Sequence, residues 1–166
     1  MTALARRDLL RGDLRGRRVP LRPPWALPEA AFAERCDGCR ACVRACPEGI
    51  LAAGWSGIPE VDFGRGACTF CGACAEACTR GALERGRGAP WAARARITEA
   101  CLALRGIACG ACVDACDRGA LRLRPVRGGV AVPRLDPGAC DGCGACVAPC
   151  PAAAVEVREL VEEAEA

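Results

Sequence analysis

The chain has 166 residues, enough for one domain or two small ones; 16 of them are Cys, 4% are aromatic, and neither Tyr nor His occurs. Because few large side chains remain to form a conventional core, units of this composition need cross-links or metal sites for stability. The formal net charge is only +3, and the lack of His excludes His-based catalytic triads, haem ligation through imidazole and Rieske sites.

The beginning of the chain is predicted to be a basic tail with a short helix. Residues 1–22 hold seven Arg against two Asp, and Arg6–Arg7 followed by a pair of Leu resembles the start of a twin-arginine export signal. Such a signal needs an apolar run and a small-residue cleavage site, but charged residues interrupt every such run here, so we expect neither export nor a membrane span. The segment is interpreted either as a solvated amphipathic helix ended by Gly12 or as a basic docking segment for a partner.

The sixteen cysteines form four groups of four, and the first cysteines of successive groups lie 32, 33 and 39 residues apart. Such a period indicates an internal repeat with one supersecondary unit in each copy. In chain order the groups are Cys36, Cys39, Cys42 and Cys46; Cys68, Cys71, Cys74 and Cys78; Cys101, Cys109, Cys112 and Cys116; and Cys140, Cys143, Cys146 and Cys150.

Three kinds of cysteine site compete as interpretations of these groups. A disulfide scaffold is usual in short Cys-rich secreted chains. However, C-x2-C-x2-C places three sulfurs in one small loop, and a disulfide between two of them leaves the third unpaired. Zinc commonly uses two separate C-x2-C pairs, and a third Cys two residues further on has no role at a four-coordinate ion. Three closely spaced thiolates can instead each bind one iron of a [4Fe–4S] cube, as in the bacterial ferredoxin run C-x2-C-x2-C-x3-C-P. The fourfold recurrence favours four [4Fe–4S] clusters, with a zinc-bound interaction module as the lesser alternative.

The fourth Cys of that ferredoxin run ligates the other cluster of a pair. We therefore expect each fourth Cys to cross to the neighbouring group, within the first two groups and within the last two. The predicted ligand sets, called the first to the fourth set below, are Cys36, Cys39, Cys42 and Cys78; Cys68, Cys71, Cys74 and Cys46; Cys101, Cys109, Cys112 and Cys150; and Cys140, Cys143, Cys146 and Cys116.

The segments between the groups support this pairing. Two β-hairpins are predicted inside the pairs, because extended runs flank short Ser-Gly and Gly-Gly turns. Their strands are Ile50–Trp55 with Ile58–Phe63, and Ala120–Arg124 with Val130–Leu135. Residues 87–97 are rich in Gly and Arg and lack hairpin alternation, so we expect them to link two modules, with Trp91 and Ile97 packing against one of them.

The third group is stretched, because seven residues separate Cys101 from Cys109. Thr98 is a suitable N-cap, residues 99–105 are good helix formers and Gly106 suits the position after a helix, so a short helix is predicted here. Cys101 would lie in its first turn and serve as the ligand that completes the third set. The alternative is that Cys101 is a bystander and leaves a three-cysteine site.

Glycines lie between the cysteines of every group, at Gly38, Gly72, Gly110, Gly142 and Gly144. They are expected to let backbone N–H groups turn towards sulfur, or else simply to mark turns. Pro follows Cys46 and Cys150 as in the ferredoxin run, whereas Thr79 and Asp117 follow the fourth cysteines of the middle groups and depart from it.

The predicted fold class is α+β, with two tandem bacterial 2[4Fe–4S] ferredoxin-like modules built from short helices and β-hairpins. The expected divisions are a basic tail over 1–30, a first module over 31–86, a linker over 87–97, a second module over 98–158 and an acidic tail over 159–166. No G-x-G-x-x-G or P-loop string occurs, so we expect neither a bound nucleotide nor enzymatic activity. The modest charge, which bound clusters would make negative, gives no basis for nucleic-acid binding.

Nearly the whole chain resembles the NapF family, the ferredoxin-type accessory proteins of periplasmic nitrate reductase systems. The resemblance rests on the "RRDLLRG" start, the four Cys groups, and the stretches "PWAARARITEACLALRGIACGACVDAC", "GGVAVPRLD" and "CDGCGACVAPCP". Its most discriminating feature is the seven-residue gap of the third group, which ordinary ferredoxins lack. The resemblance implies that all sixteen cysteines are ligands of four clusters.

The resemblance also implies a function. It suggests a cytoplasmic protein that contacts the catalytic subunit of periplasmic nitrate reductase before export and helps that subunit to acquire its iron–sulfur cluster. A cytoplasmic location also suits the thiols, which stay reduced there. The cysteine pattern by itself supports equally well a multi-cluster electron carrier for another oxidoreductase complex.

Overall fold

A computed structural model of the chain describes residues 20–54 and 57–159. The predicted helix ended by Gly12 and the acidic tail beyond Glu159 lie outside the described residues. The helices of the described part are α1 (Glu29–Arg35), α2 (Ala41–Ala45), α3 (Ala73–Glu76), α4 (Ala111–Asp114) and a 3-10 turn (Arg85–Arg87). The strands are β1 (Leu51–Ala53), β2 (Pro59–Val61), β3 (Ala93–Ile97), β4 (Leu121–Arg124), β5 (Val132–Leu135) and β6 (Val155–Glu159). None of the described helices has the length and apolar character that crossing a membrane requires.

Both predicted hairpins are present. Strands β1 and β2 pair antiparallel with Leu51 opposite Val61, and β4 and β5 pair antiparallel with Leu121 opposite Leu135. Leu51 and Leu121 are the buried ends of their strands, each 2% exposed. Each hairpin therefore anchors one half of the chain, and the α+β class predicted from the sequence is confirmed.

A third sheet was not predicted. Residues 93–97, which we expected to be linker, form β3 and pair antiparallel with β6 over their whole length, from Ala93 opposite Glu159 to Ile97 opposite Val155. Apolar and polar residues do alternate in this segment, but the inward residues are small. Ala93 and Ala95 are buried, and the arginines next to them are exposed or half-buried. Alternation of Ala with Arg thus gives a strand with one buried face.

The first half is closed in a corresponding way by an isolated bridge between Ala26 and Leu83. The Leu27 N–H also donates to the Ala82 carbonyl (3.1 Å), and the Glu84 N–H donates to the Trp25 carbonyl (2.9 Å). In both halves, the segment before the first Cys therefore meets the segment after the last one. Residues 21–27, assigned to the basic tail on sequence grounds, contribute to the first core.

The cores are small and lie around the cysteines. In the first half, Phe32, Ile50 and Leu83 surround the buried Cys42 and Cys74. In the second half, small buried side chains pack around further cysteines; the buried members are Ala95, Cys112, Leu121, Cys146 and Val155, with Cys101, Ala103 and Ala154 as a separate group. The cysteines therefore hold positions that large apolar residues fill in ordinary domains.

Candidate metal centres

Three of the four cysteine loops have the same backbone shape. In each of them a residue with positive φ stands immediately before the second Cys and another immediately after it. These pairs are Gly38 (71°) and Arg40 (60°), Phe70 (54°) and Gly72 (88°), and Gly142 (73°) and Gly144 (82°). Left-handed residues at alternate positions turn the chain sharply on both sides of the second Cys. Because Arg40 and Phe70 accept this conformation without being Gly, the loop shape is imposed by the site rather than by glycine content.

The third loop has a different shape, and its predicted helix is absent. Gly110 has a φ of −132°, so it does not share the left-handed conformation of the other loop glycines. Residues 98–106 form successive turns instead of an α-helix, because only the Arg105 N–H reaches a carbonyl four residues back, that of Cys101 (3.1 Å). The predicted end is correct: Gly106 has a φ of 83° and donates to Ala103 (3.2 Å), while the Ile107 N–H donates to Leu102 (2.9 Å). These two bonds are those of a Schellman motif.

The turn after the fourth Cys is the same in all four groups, with or without Pro. The carbonyl of each fourth Cys accepts the N–H of the residue three positions later, which always has positive φ. These residues are Gly49 (65°), Gly81 (64°), Gly119 (60°) and Ala153 (47°). The Pro that follows two of the four cysteines is therefore not needed for this turn.

Within the first half, the structure brings the cysteines together in the crossed arrangement. Cys36, Cys39, Cys42 and Cys78 line one cavity, which has an empty volume of about 340 Å³ including space open to solvent. Burial raises the pKa of the Cys42 thiol to about 11, and the neighbouring charges that also raise this pKa are those of Cys78, Cys36 and Cys39. These four residues are the first set.

The second set surrounds a separate cavity of about 330 Å³, to which it contributes Cys46, Cys68, Cys71 and Cys74. Burial is the main cause that raises the pKa of Cys74 to about 12, and the charges of Cys68, Cys42 and Cys46 raise this pKa as well. Cys42 and Cys74 also belong to the same cluster of buried residues, so the first two sets are neighbours. Helices α2 and α3 explain this, since each carries one buried Cys and leads to the fourth Cys that crosses over.

The fourth set is arranged in the same way. Its members Cys116, Cys140, Cys143 and Cys146 line a cavity of about 320 Å³. Burial raises the pKa of Cys146 to about 12, and the charges of Cys143, Cys140 and Cys116 raise it as well.

Cys101 lies with the third set and not in solvent. Burial raises the pKa of Cys112, and the thiol charges that add to this rise are those of Cys101, Cys150 and Cys109. Cys101 itself is 8% exposed and packs with Ala103, Ala154 and Cys150. The stretched loop therefore brings Cys101 to the position that the first Cys of the other groups occupies.

The donor set suits iron–sulfur clusters. All sixteen cysteines are free thiols, and no three His, Cys, Asp or Glu side chains within the described ranges 20–54 and 57–159 are placed to hold a single metal ion. Backbone N–H groups already point at sulfur: Phe70 at Cys68 (3.4 Å), Ala95 at Cys140 (3.5 Å) and Ala154 at Cys150 (3.2 Å). Such hydrogen bonds stabilise cluster thiolates and tune their potentials. Because the buried thiols have raised pKa values, cluster binding must displace their protons.

Two ion pairs at the sites were missed in the sequence. Arg80 pairs with Asp37 (3.5 Å), and Arg118 pairs with Asp141 (2.6 Å). In both cases the Arg stands two residues after a crossing Cys, and the Asp follows the first Cys of the set that this Cys joins. Asp141 also accepts the N–H of Cys143; burial would raise the pKa of Asp141, but this bond and Arg118 lower it below its usual value. The recurring "CDGC" is the sequence signal that could have revealed these pairs.

The junction between the halves was missed as well. Trp91 packs against the first half, as predicted; its ring meets Phe63 and Phe70 edge to face, with centroids 6.0 and 5.7 Å away. Its Nε1–H donates to the Asp141 carbonyl of the second half (3.0 Å). Trp91 therefore bridges the loops that carry the second and fourth sets.

Comparison with known proteins agrees with this geometry. The 4Fe-4S dicluster domain family matches residues 35–82 and 106–154, so its second match begins after Cys101. The chain is 38% identical over 138 residues to the "Ferredoxin-type protein NapF" of Escherichia coli K12, covering 83% of this chain and 84% of that protein. It is also 38% identical over 124 residues to the protein of the same name from Haemophilus influenzae, covering 75% and 70% of the two chains. With two tandem dicluster domains and relatives of this kind, the chain belongs to the NapF family of ferredoxin-type iron–sulfur proteins.

Proposed function

We propose that the chain is an accessory protein of a periplasmic nitrate reductase system that carries four [4Fe–4S] clusters and acts in the cytoplasm. Each of the four cysteine sets holds one cluster, in the crossed arrangement that runs from Cys36 to Cys150. The observation that carries the proposal is that Cys42 and Cys78 line one cavity and that Cys101 packs with Cys150. Cysteines far apart in sequence meet at these places as a cube-shaped cluster requires.

The crossed arrangement predicts how the loss of iron adds up in double variants. Cys36→Ser and Cys78→Ser affect the same cluster, so the double variant loses no more than about four iron atoms, as a single variant can. Cys68→Ser and Cys78→Ser affect different clusters, so this double variant loses about eight. Iron and sulfide analysis of anaerobically purified proteins measures both. Additive losses for Cys36 with Cys78, and non-additive losses for Cys68 with Cys78, would show that the sets are uncrossed.

The task that we propose is to help the catalytic subunit of the nitrate reductase to acquire its iron–sulfur cluster before export. The proposal rests on the membership of the NapF family and on the exposure of ligands at the surface. Cys39 and Cys71 are exposed, so their cubes would reach the surface, where a partner can accept electrons or cluster atoms. The chain itself provides binding and delivery, and no catalytic residue is assigned to it.

Co-purification with the reductase precursor tests this task. A tagged chain should retain the precursor that still carries its export signal, and the holo form should retain it better than the apo form prepared by chelation. A chain with Ser at Cys39 and Cys71, the two exposed ligands, should bind less. If neither precursor nor mature reductase is retained, the alternative function gains: an electron carrier for another oxidoreductase complex.

A further inference from the structure

The two halves are joined at their ligand loops. The backbone N–H of Cys68 donates to the backbone carbonyl of Cys143 across the interface (2.8 Å). Cys68 belongs to the second set and Cys143 to the fourth. A single hydrogen bond therefore connects residues that ligate clusters in different halves.

The surroundings show that this contact is built into the fold. Trp91 contacts Phe63 and Phe70 on one side and Asp141 on the other. The ring of Phe63 lies where a Cβ on Gly144 would be, so only Gly fits at that position. In addition, Val147 and Val157 of the second half pack against the first core. Apolar side chains from both halves thus take part in the junction that contains the hydrogen bond.

Each half already connects its own two sets. Helix α2 runs from the first set towards Cys46 of the second, and α4 runs from the third set towards Cys116 of the fourth. Among the described residues, those packed around Cys101 all belong to the second half, so the third set lies away from the junction. The four sites follow one another in space in the order first, second, fourth, third.

We propose that the junction joins the two halves into one path for electrons, with the second and fourth clusters as neighbours. This inference rests on the proposed function, since it needs clusters in these sets. With clusters bound, one electron could pass from the group held by the second set to the group held by the fourth set. The donor would be oxidised by one electron and the acceptor reduced by one, with no bond made or broken. Trp91 is a positioning residue that holds the two loops in contact. The chain can then accept an electron at one end and release it at the other.

Magnetic coupling between reduced clusters tests the path directly. Each half contains a neighbouring pair, so the inter-half pair must be isolated by variants. Ser at Cys36, Cys39, Cys109 and Cys112 removes the first and third clusters and leaves the second and fourth. After reduction by dithionite, the paramagnetic resonance spectrum of this chain should show spin–spin splitting. A matched chain with Ser at Cys36, Cys39, Cys140 and Cys143 keeps the second and third clusters and should show two independent signals.

The outcomes separate this inference from the proposed function. About eight iron atoms in each variant show that the sets are loaded as proposed, and any other content counts against the ligand sets themselves. Full loading with uncoupled second and fourth clusters overturns the path while leaving the function intact. Trp91→Ala in the chain that keeps only the second and fourth clusters is the second test, and Leu104→Ala in the same chain, at an exposed site of the third loop, is its control. Trp91→Ala should narrow the coupled part of the spectrum at unchanged iron content, and an unchanged spectrum would contradict the role of Trp91.

Discussion

Cys101 shows how one residue can keep its chemical position when the loop around it changes. It stands eight residues before Cys109, yet it is buried beside Cys112 and Cys150 as the first Cys of a set should be. Two successive turns and the Schellman motif at Gly106 return the chain from Cys101 to Cys109. The position of Cys101 is thus maintained by local turns, without a helix.

Replacing Cys101 should therefore affect one cluster only. Cys101→Ser is expected to convert the third cluster to a three-iron form or to lose it, so about one to four iron atoms disappear while the other three clusters keep their spectra. Leu104, 52% exposed in the same loop, offers a matched control, since Leu104→Ser touches no ligand. Iron analysis with paramagnetic resonance measures both. A Cys101→Ser chain with its full iron content would make Cys101 a bystander.

The turn after each fourth Cys repeats four times, three times with Gly and once with Ala153. A left-handed backbone conformation costs a residue with a Cβ roughly 1–2 kcal/mol. Gly avoids this cost, but it loses more conformational entropy on folding, so its net advantage is smaller. Ala153 therefore carries strain that its three counterparts avoid.

Exchanging these residues should move the free energy of unfolding in opposite directions. Gly49 has open space where the Cβ of another residue would lie, so Gly49→Ala should destabilise the protein by about 1 kcal/mol through its φ alone. Ala153→Gly, at an exposed position, should stabilise it by up to about 1 kcal/mol. Anaerobic denaturant titrations followed by cluster absorbance measure both changes. Equal signs for the two variants would contradict this interpretation of the turn.

The elements that the sequence predicts well are those with a strong local signal. The two hairpins have Gly-containing turns between extended runs, and both form. Strand β3 was missed because its inward residues are alanines, which are buried only through pairing with a distant strand. Ala95 pairs with Val157, which lies 62 residues further along the chain. The helix over 99–105 was wrong because the ends of the loop are fixed by Cys101 and Cys109, which leaves room for turns only. Good helix formers cannot override such anchors in so short a segment.

The candidate sites were predictable to a similar degree. The spacing and the crossing rule of the ferredoxin run predicted the four sets, and the structure brings the same cysteines together, while their binding of clusters stays a prediction. The ion pairs Arg80–Asp37 and Arg118–Asp141 and the hydrogen bond from Trp91 to Asp141 were not foreseen, because they join segments whose distance in space the local pattern does not contain. The divisions at 31–86, 87–97 and 98–158 stay predictions, although β3 pairs with the second half.

Taken as a whole, the molecule is organised around its cysteines more than around an apolar core. Cys residues occupy buried positions in each of the three core clusters, while the largest fully buried side chains are Phe32, Ile50, Pro23 and Pro24. An oxidised cube with four thiolates adds about −2, so four clusters would turn the formal +3 into roughly −5. The holo protein would then be acidic, and partners would meet a negative surface where the composition suggests a weakly basic one.

The metal and sulfide content of the anaerobically purified chain tests the central claim most directly. Four cubes require roughly sixteen iron and sixteen sulfide per chain, with little zinc, because each of the sixteen thiols would bind one iron. Acid-labile sulfide is decisive, since a chain that binds single metal ions contains none. Sixteen of each, within the error of the analysis, is the expected result; stoichiometric zinc without sulfide would contradict the account.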